Sequence, residues 1–561
     1  MSIAVEALDP SAGKVSFTAE MRPISLFRAV ISTYAVFPRA IARITKLLLK
    51  GNIKGVLFRF ARLYDTISSP SYQEWLPAHR LAAKEADLTL SGQNRPSVAV
   101  YVEDGPEHLR RKTLASLASQ KDCHILMWSD SDMAQLDPLG VEHRALLWMR
   151  LPAGMYLEDD ALRKLATPFQ DNPGLTAVYC DEDDIDGKGL PTAPFFKPAW
   201  NPPLALSGWL PLEGALIRLS SIRADMNLRT APIGEILINS AGGKPSVIHL
   251  PEILLHRMTK RIAPRQPKLP EKYDGMPAPV SIVIPTRNRA DLLRKCIDSI
   301  PRNNDRNSVE IIVIDNDSNE DDAITYLKKL STEKDCKVIS MPGAFNFSKA
   351  CNLGVREARY ENILLLNNDI ESPTTSWLSH MIAELRDPDI GAVGALLLFP
   401  DGFVQHGGVT LGMGSVARHS YHFIDPEGGE DNGLLAQRRD VSAVTAACLL
   451  TTKSLWSAVG GMDEEDLTVA FNDVDYCLKL RRMGKRIIWT PRAKLIHRES
   501  VSRGSDDSAA KLSRFAHEER VMHERWGTLL LRDPYYNPNL TLHAESHTLE
   551  PFPRDLSGRK A

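Results

Sequence analysis

Short apolar runs that end in polar tips recur through the second half of this chain. Val280-Ser-Ile-Val-Ile284, Val309-Glu-Ile-Ile-Val-Ile314, Lys337-Val-Ile-Ser340 and Ile363-Leu-Leu-Leu366 read as buried strands. Between them, Asp291 to Ile300 puts Leu292, Leu293, Cys296, Ile297 and Ile300 on one helical face, and Asn346 to Ala358 predicts another helix. This alternation predicts an α/β unit with a parallel, doubly wound sheet. An earlier stretch repeats the pattern. It has strands at Ser97–Val102, His124–Trp128 and Ala145–Trp148, a helix from Glu107 to Gln120, an amphipathic turn at Asp159–Leu165 and a strand at Thr176–Cys180.

The flanks differ. Between Arg22 and Arg62, bases alternate with Leu, Ile and Phe at helical spacing, and no acid occurs. Such a segment suits an anionic membrane surface. It equally suits a helical hairpin packed on the next domain with its bases in water. Across residues 256–279, Pro264, Pro267, Pro270, Pro277 and Pro279 end all periodicity, which predicts a linker. The resulting plan is a basic helical region (1–90), a first α/β domain (91–255), a linker (256–279), a second α/β domain (280–505) and a C-terminal helix and tail (506–561).

Composition narrows the class. With 43% hydrophobic and 25% charged residues the chain reads as soluble and globular. A net charge of −2 provides no field for nucleic acid. Seven scattered cysteines without a CxxC pair suit free thiols in a reducing cytosol rather than disulfides or a zinc site. Residues 1–22 lack the apolar core of a signal peptide, and no apolar run reaches the roughly 18 residues of a membrane span. The expected location is the cytoplasm, with peripheral attachment to the inner membrane if the basic helices bind it.

Candidate chemistry gathers at the strand ends, where open α/β sheets bind ligands. Pro285, Thr286, Arg287 and Asn288 follow the first strand, Asp315-Asn-Asp-Ser318 the second, and Asn367, Asn368 and Asp369 the fourth. Their convergence predicts a pocket. Asp315 can accept from a base N–H or a ribose hydroxyl, or simply cap a turn. A carboxylate at Asp369 beside two amides suits Mg²⁺ or Mn²⁺ carrying phosphate oxygens. Two other patterns are set aside. Gly412 to Ala417 fits GxGxxA but lacks a βαβ context and is assigned to a loop. Asp181-Glu-Asp-Asp184, with no histidine nearby in sequence, reads as a solvated acidic loop.

The segments SIVIPTRNRADLLRKCIDSI, VEIIVIDNDSN, GAFNFSKACNLGVREA, ILLLNNDIE, TAACLLTTKSLWSAVGGMDE, FNDVDYCLKLRRMGKRIIWTP and LIHRESVSRG occur in order within 280–505. Together they resemble a family 2 glycosyltransferase of the GT-A fold, in particular bacterial transferases of O-antigen and rhamnan-type polysaccharide assembly. The resemblance implies that Asn367-Asn368-Asp369 is the DXD-type segment, with Asn367 in place of the first aspartate and Asp369 as the main metal carboxylate. It implies that Asp473 is the catalytic base. Asn472 would cap the following helix, whose dipole would keep Asp473 ionised. Asp475, about 200° further round, would sit beside substrate rather than share the base role. His497 would complete the metal site. Lys349 and Arg503 would hold diphosphate or else be solvated surface charges. Asn352 joins the substrate-binding set, and His406 and Trp456 are candidates to line the donor or acceptor pocket.

The first α/β domain carries a weaker resemblance to the same family, in Tyr72–Trp75, Tyr179–Asp186 and Phe195–Asn201. Its key positions depart from the pattern. Val100-Tyr-Val-Glu-Asp104 stands where the family has a proline-containing loop, and Arg150-Leu-Pro-Ala-Gly154 where it has metal carboxylates. This implies a degenerate, inactive GT-A-like domain. The whole chain then reads as an inverting, metal-dependent transferase. It would move a sugar from a nucleotide-sugar, dTDP-rhamnose by resemblance, to a glycan growing on a polyprenyl-diphosphate lipid. Two rival readings remain open: a non-catalytic glycan- or nucleotide-binding scaffold, and a sugar-1-phosphate nucleotidyltransferase. The latter class carries glycine in the loop that here reads Pro285-Thr-Arg-Asn288.

Overall fold

Apolar runs in both halves of the chain become strands, and both halves arrange them on one plan. A computed structural model describes residues 2–7, 15–20, 44–45, 55–57, 59, 70–87, 95–129, 147–240, 242–259, 261, 278–301, 309–428, 431–498, 509–542 and 548–550. These fall into two units, Met1–Ile67 and Ser68–Ala561. In the first, strands β1 (Ser2–Ala7) and β2 (Val15–Glu20) pair antiparallel. Most of the basic stretch 23–64 and of the proline-rich 256–279 lies outside the described residues, as does Arg503. Among the described residues no helix is long and apolar enough to cross a membrane.

The second unit holds two mixed sheets. The N-terminal one contains β3 (Ser97–Val102), β4 (His124–Trp128), β5 (Leu147–Leu151), β6 (Met155–Leu157), β7 (Ala177–Ile185), β8 (Pro191–Phe195), β9 (Leu216–Arg218) and β10 (Val247–Arg257). Their order is β4-β3-β5-β9-β7-β10-β6, with β8 on β7. Around it lie helices α1 (Tyr72–Asp87), α2 (Glu107–Ala118) and α3 (Ala161–Ala166).

The C-terminal sheet begins with β11 (Val280–Thr286), β12 (Val309–Asp315), β13 (Cys336–Ser340), β14 (Asn362–Leu366), β15 (Ile370–Glu371) and β16 (Ile390–Leu398). Later come β17 (Val404–His406), the hairpin β18 (Val409–Leu411) and β19 (Ala417–His419), then β20 (Arg439–Asp440), β21 (Cys448–Thr452) and β22 (Arg486–His497). The order is β13-β12-β11-β14-β21-β16-β22-β15, with β17 on β16 and β20 on β22. Apart from the extra edge strand β13, each strand along this path matches one of the N-terminal sheet in chain order, neighbours and direction. Apolar clusters cover both faces of each sheet.

The expected parallel sheet proves to be mixed: β15 and β20 run antiparallel to β22, and β17 antiparallel to β16. Strands β13, β12, β11 and β14 are parallel, but β21 runs antiparallel to both β14 and β16. The chain enters β21 from Ala447, whose carbonyl accepts from Asn367 N at 2.9 Å at the carboxyl end of β14. It therefore has to run back down the sheet.

Local signals set the helices. Helix α4 (Ala290–Asp298) buries Leu292, Leu293, Cys296 and Ile297. Helix α5 (Phe347–Glu357) starts at Asn346, whose side chain accepts from Lys349 N at 2.8 Å. Its Gly354 lies against Val283 of β11, so closely that a Cβ would overlap that side chain. Gly354→Ala is expected to destabilise the chain by about 1–3 kcal/mol, read as a lowered denaturant midpoint. An unchanged midpoint would mean the helix can move off the sheet without cost.

The acidic run 181–184 is also corrected. It is the carboxyl half of β7, and Asp181, Glu182 and Asp183 are buried. Partners from distant positions make this possible. Lys197 Nζ lies 2.9 Å from Glu182 Oε2, His249 Nε2 2.7 Å from Asp181 Oδ1, and His256 Nδ1 2.5 Å from Asp183 Oδ1. A C-terminal strap after helix α7 (Ala509–Trp526) then ties the two sheets together. Asn537 and Asn539 donate to Asp181 Oδ2, and Asp533 accepts from Leu411 N and Ser442 Oγ.

Candidate active site

The tips of β11, β12 and β14 interlock before any ligand is considered. Asn288, in the left-handed region at φ 54°, accepts at Oδ1 from Asn319 N (2.8 Å) and Glu320 N (3.2 Å), and its own N–H donates to Ser318 Oγ (2.8 Å). Asp315 Oδ1 accepts from Ser318 N at 3.1 Å and Ser318 Oγ at 2.5 Å, closing its turn. Thr286 is buried, and its Oγ1 accepts from Asn368 Nδ2 at 2.9 Å. Pro285 is half-buried and Arg287 lies exposed on the rim.

Strand register decides the next pair. Antiparallel pairing sets Ile370 opposite His497, which brings the preceding Asp369 to the same place. Asp369 Oδ1 is 3.2 Å from His497 Nε2, and each side chain is only 6% exposed. The Asp369 carbonyl accepts from Arg498 N at 3.1 Å. His497 Nδ1 has no hydrogen-bond partner among the described residues. Among those residues no three His, Cys, Asp or Glu side chains gather as a metal cage. One carboxylate and one imidazole nevertheless fit a divalent cation that keeps waters and takes phosphate oxygens as further ligands. The imidazole favours Mn²⁺ over Mg²⁺.

Asp473 stands in the first turn of helix α6 (Asn472–Arg482). The cap differs from expectation. Phe471, at φ 60°, occupies the cap position, whereas Asn472 is buried and donates to Ser348 Oγ (3.0 Å) and Val469 O (3.2 Å). Half-buried Asp473 accepts at Oδ2 from Ala446 N at 2.9 Å. The segment Thr445–Ala447 therefore touches Asp473 with one residue and Asn367 with the next. Beneath it, buried His406 receives Thr445 N at 3.4 Å on Nε2 and packs edge-on against His419 at 4.7 Å. Burial, with His419 and Arg439 adding to it, holds the His406 imidazole well below its ordinary pKa and so neutral.

Other candidates fall elsewhere. Asp475 is fully buried, clamped by Arg525 Nη1 (2.9 Å), Lys479 Nζ (2.8 Å) and Trp526 Nε1 (3.0 Å), so it anchors α7 to α6 rather than facing substrate. Asn352 braces the 462–464 turn, donating to Met462 O (2.8 Å) and Glu464 Oε1 (2.9 Å), and accepts from the buried Trp456 indole at 3.0 Å. Lys349 is exposed in the first turn of α5. Gly412 and Gly414 form the turn of the β18–β19 hairpin. The contributions of Ala446 and Ala447 are backbone groups, and no side-chain pattern could have revealed them.

Residues 281–425 match the profile described as glycosyl transferase family 2. An uncharacterized protein, y4gI, of Sinorhizobium fredii is 35% identical over 441 residues, covering 70% of this chain and 48% of that protein. O-antigen biosynthesis protein RfbC of Myxococcus xanthus is 28% identical over 592 residues, covering 90% of this chain and 46% of that one. An N-acetylglucosaminyl-diphospho-decaprenol L-rhamnosyltransferase of Mycobacterium tuberculosis is 28% identical over 156 residues, 26% of this chain and 50% of the relative. This chain thus spans about half the length of the curated relatives it matches. Its C-terminal part carries a glycosyl transferase family 2 domain over residues 281–425.

Proposed function

We propose that this chain is an inverting, divalent-cation-dependent glycosyltransferase of bacterial surface-polysaccharide assembly. Its donor would be dTDP-rhamnose, and its acceptor a glycan such as O-antigen growing on a polyprenyl diphosphate. One observation carries this reading: Asp369, His497 and Asp473 gather at the carboxyl edge of one sheet, and Thr445–Ala447 links the strand tip to the base. The names of two relatives, an O-antigen biosynthesis protein and an L-rhamnosyltransferase, support the choice of sugar and acceptor.

In this mechanism Asp473 takes the proton of an acceptor hydroxyl. The Ala446 N–H on Oδ2 and the Val474 N–H on Oδ1 fix the carboxylate, and its remaining lone pairs would take the proton. The hydroxyl oxygen bonds to the sugar C1 as the C1–O bond to diphosphate breaks on the opposite face, inverting that carbon. A divalent cation held by Asp369 and His497 would neutralise the charge gathering on the leaving diphosphate. Thr286, Asn288 and Asp315 would form the wall for the nucleoside, and the exposed Arg287 and Lys349 would supply cations for phosphate. The N-terminal sheet would not catalyse. Its matching register places Gly154 where Asp369 stands and Arg257 where His497 stands. Glycine has no side chain to offer a cation, and a guanidinium has no lone pair for one. The basic N-terminal stretch would hold the enzyme against the cytoplasmic membrane face.

The test is nucleoside diphosphate release by the purified chain with dTDP-rhamnose and a panel of UDP- and GDP-sugars, a lipid-linked acceptor and Mn²⁺ or Mg²⁺. Release from one donor names the sugar. EDTA is expected to abolish release, and added Mn²⁺ to restore it. Undiminished turnover in EDTA would remove the cation from the mechanism. Absence of both release and donor binding would remove the transferase reading.

A further inference from the structure

His406 is a buried, ionisable side chain that the transfer mechanism leaves unused. It ends β17 opposite Leu397 of β16 and is 0% exposed, so it touches neither donor nor acceptor. His419 packs edge-on against its ring at 4.7 Å. The Arg439 guanidinium, 4.0 Å from the centre of the Trp489 ring, donates to the carbonyl of the next residue, Gly407. Burial keeps the imidazole neutral, with one N–H and one lone pair. Because Nε2 accepts from Thr445 N at 3.4 Å, the proton sits on Nδ1, which has no hydrogen-bond partner among the described residues. An orphaned buried N–H opposes folding, so packing does not account for a histidine here. Phenylalanine would fill a similar space with no polar atom to bury. What the histidine adds is the acceptor at Nε2.

Thr445 opens a tight turn. Its carbonyl accepts from Cys448 N at 3.3 Å, and its Oγ1 accepts from Ala447 N at 3.3 Å. Within the turn, Ala447 O accepts from Asn367 N at the tip of β14, and Ala446 N donates to Asp473 Oδ2. Of the two backbone N–H groups on Asp473, that of Val474 belongs to the same helix. Ala446 N is therefore the contact that sets the carboxylate against the sheet. The first N–H of this turn is the one that His406 holds. A misplacement of about 1 Å in such a support can cost about 10²-fold in rate.

We propose that His406 is a positioning residue for sugar transfer: its Nε2 fixes the turn at 445–448, and through Ala446 that turn aims Asp473. This role rests on Asp473 acting as the base, and it extends the machinery to a residue that no substrate touches.

Two variants of the full chain separate the acceptor atom from the ring. His406→Phe keeps a ring and loses the acceptor, whereas His406→Gln can present Oε1 where Nε2 stands. In His406→Phe, kcat with the lipid-linked acceptor is expected to fall by about 10–10²-fold, with donor KM and Tm near wild type. His406→Gln should recover most of that rate. Amide hydrogen exchange over residues 443–449 reads the turn without turnover, and it should quicken in His406→Phe but not in His406→Gln. Added to Asp473→Asn, His406→Phe should cost little further rate, because residues that act through one group are not additive. If the melting curve shows that His406→Phe does not fold, His406→Leu, which also lacks the acceptor, is read in its place. Three outcomes overturn the proposal: exchange that stays at the wild-type rate without the acceptor, a rate that glutamine does not recover, or losses that multiply in the double variant. A chain that transfers sugar but gives any of these sinks the positioning role alone. A wild-type chain that releases no diphosphate sinks the reaction, and this role with it.

Discussion

Asp473→Asn is expected to lower kcat for sugar transfer by about 10²–10⁴-fold, the usual contribution of a positioned general base. Donor affinity should stay near wild type, and the melting temperature should fall only slightly. The substitution is nearly isosteric, and an asparagine oxygen can still accept one of the two backbone N–H groups that Asp473 receives, Ala446 N at 2.9 Å and Val474 N at 2.8 Å, while its NH₂ faces the other. The half-buried side chain has no ion-pair partner among the described residues that would be left stranded. What is lost is the negative charge and the basic oxygen. Steady-state kinetics with a lipid-linked acceptor, paired with calorimetric donor titration, separates the outcomes. Full activity would refute the base role. Loss of donor binding together with rate would mean that Asp473 instead shapes the donor pocket.

Glu182→Leu should lower stability at neutral pH by about 3–5 kcal/mol, the cost of breaking a buried ion pair from one side. Glu182 is 0% exposed and Lys197 1% exposed. Arg257 Nε at 3.2 Å and Arg261 Nε at 3.1 Å face the same carboxylate. Leucine would leave Lys197 as an uncompensated buried ammonium. Burial by itself would raise the Glu182 pKa, but Lys197 and then Arg257 outweigh it and bring it from 4.5 to about 2. The folded pKa is thus depressed. Its stabilisation is complete above about pH 4.5 and is lost as pH falls toward 2. The stability gap between wild type and variant should therefore narrow below pH 4.5. Denaturant midpoints on either side of that pH measure it. Equal midpoints at neutral pH would show that Lys197 finds water or another acceptor when Glu182 is gone.

Much of the C-terminal sheet was legible in the chain. The runs at 280–284, 309–314 and 363–366 became β11, β12 and β14, and the helix read from Asp291 became α4. Asn346 capped α5 through Lys349 N. Periodicity, caps and strand tips are local properties, carried by residues within a few positions of one another. The polar tips that hold Asn288, Asp315 and Asp369 follow from the same logic, because a buried strand must end in groups that can meet water or ligand.

Contacts between remote residues were decided only in three dimensions. The reversed direction of β21 depends on where Ala447 meets Asn367. That His497 faces Asp369 depends on the register between β15 and β22. A run such as Asp181–Asp184 reads as solvated until His249, His256, Lys197 and Arg257 arrive from other segments. Asp475 looks like a second active-site acid until Arg525, fifty residues away, closes on it. The sequence by itself determined the strands, the helices and the kinds of group at their ends, since those follow from short-range sterics and burial. Tertiary structure decided which charges are buried and which face the cleft, because the free energy of an ionised group is set by the partners and the water around it, and neither is local in the chain.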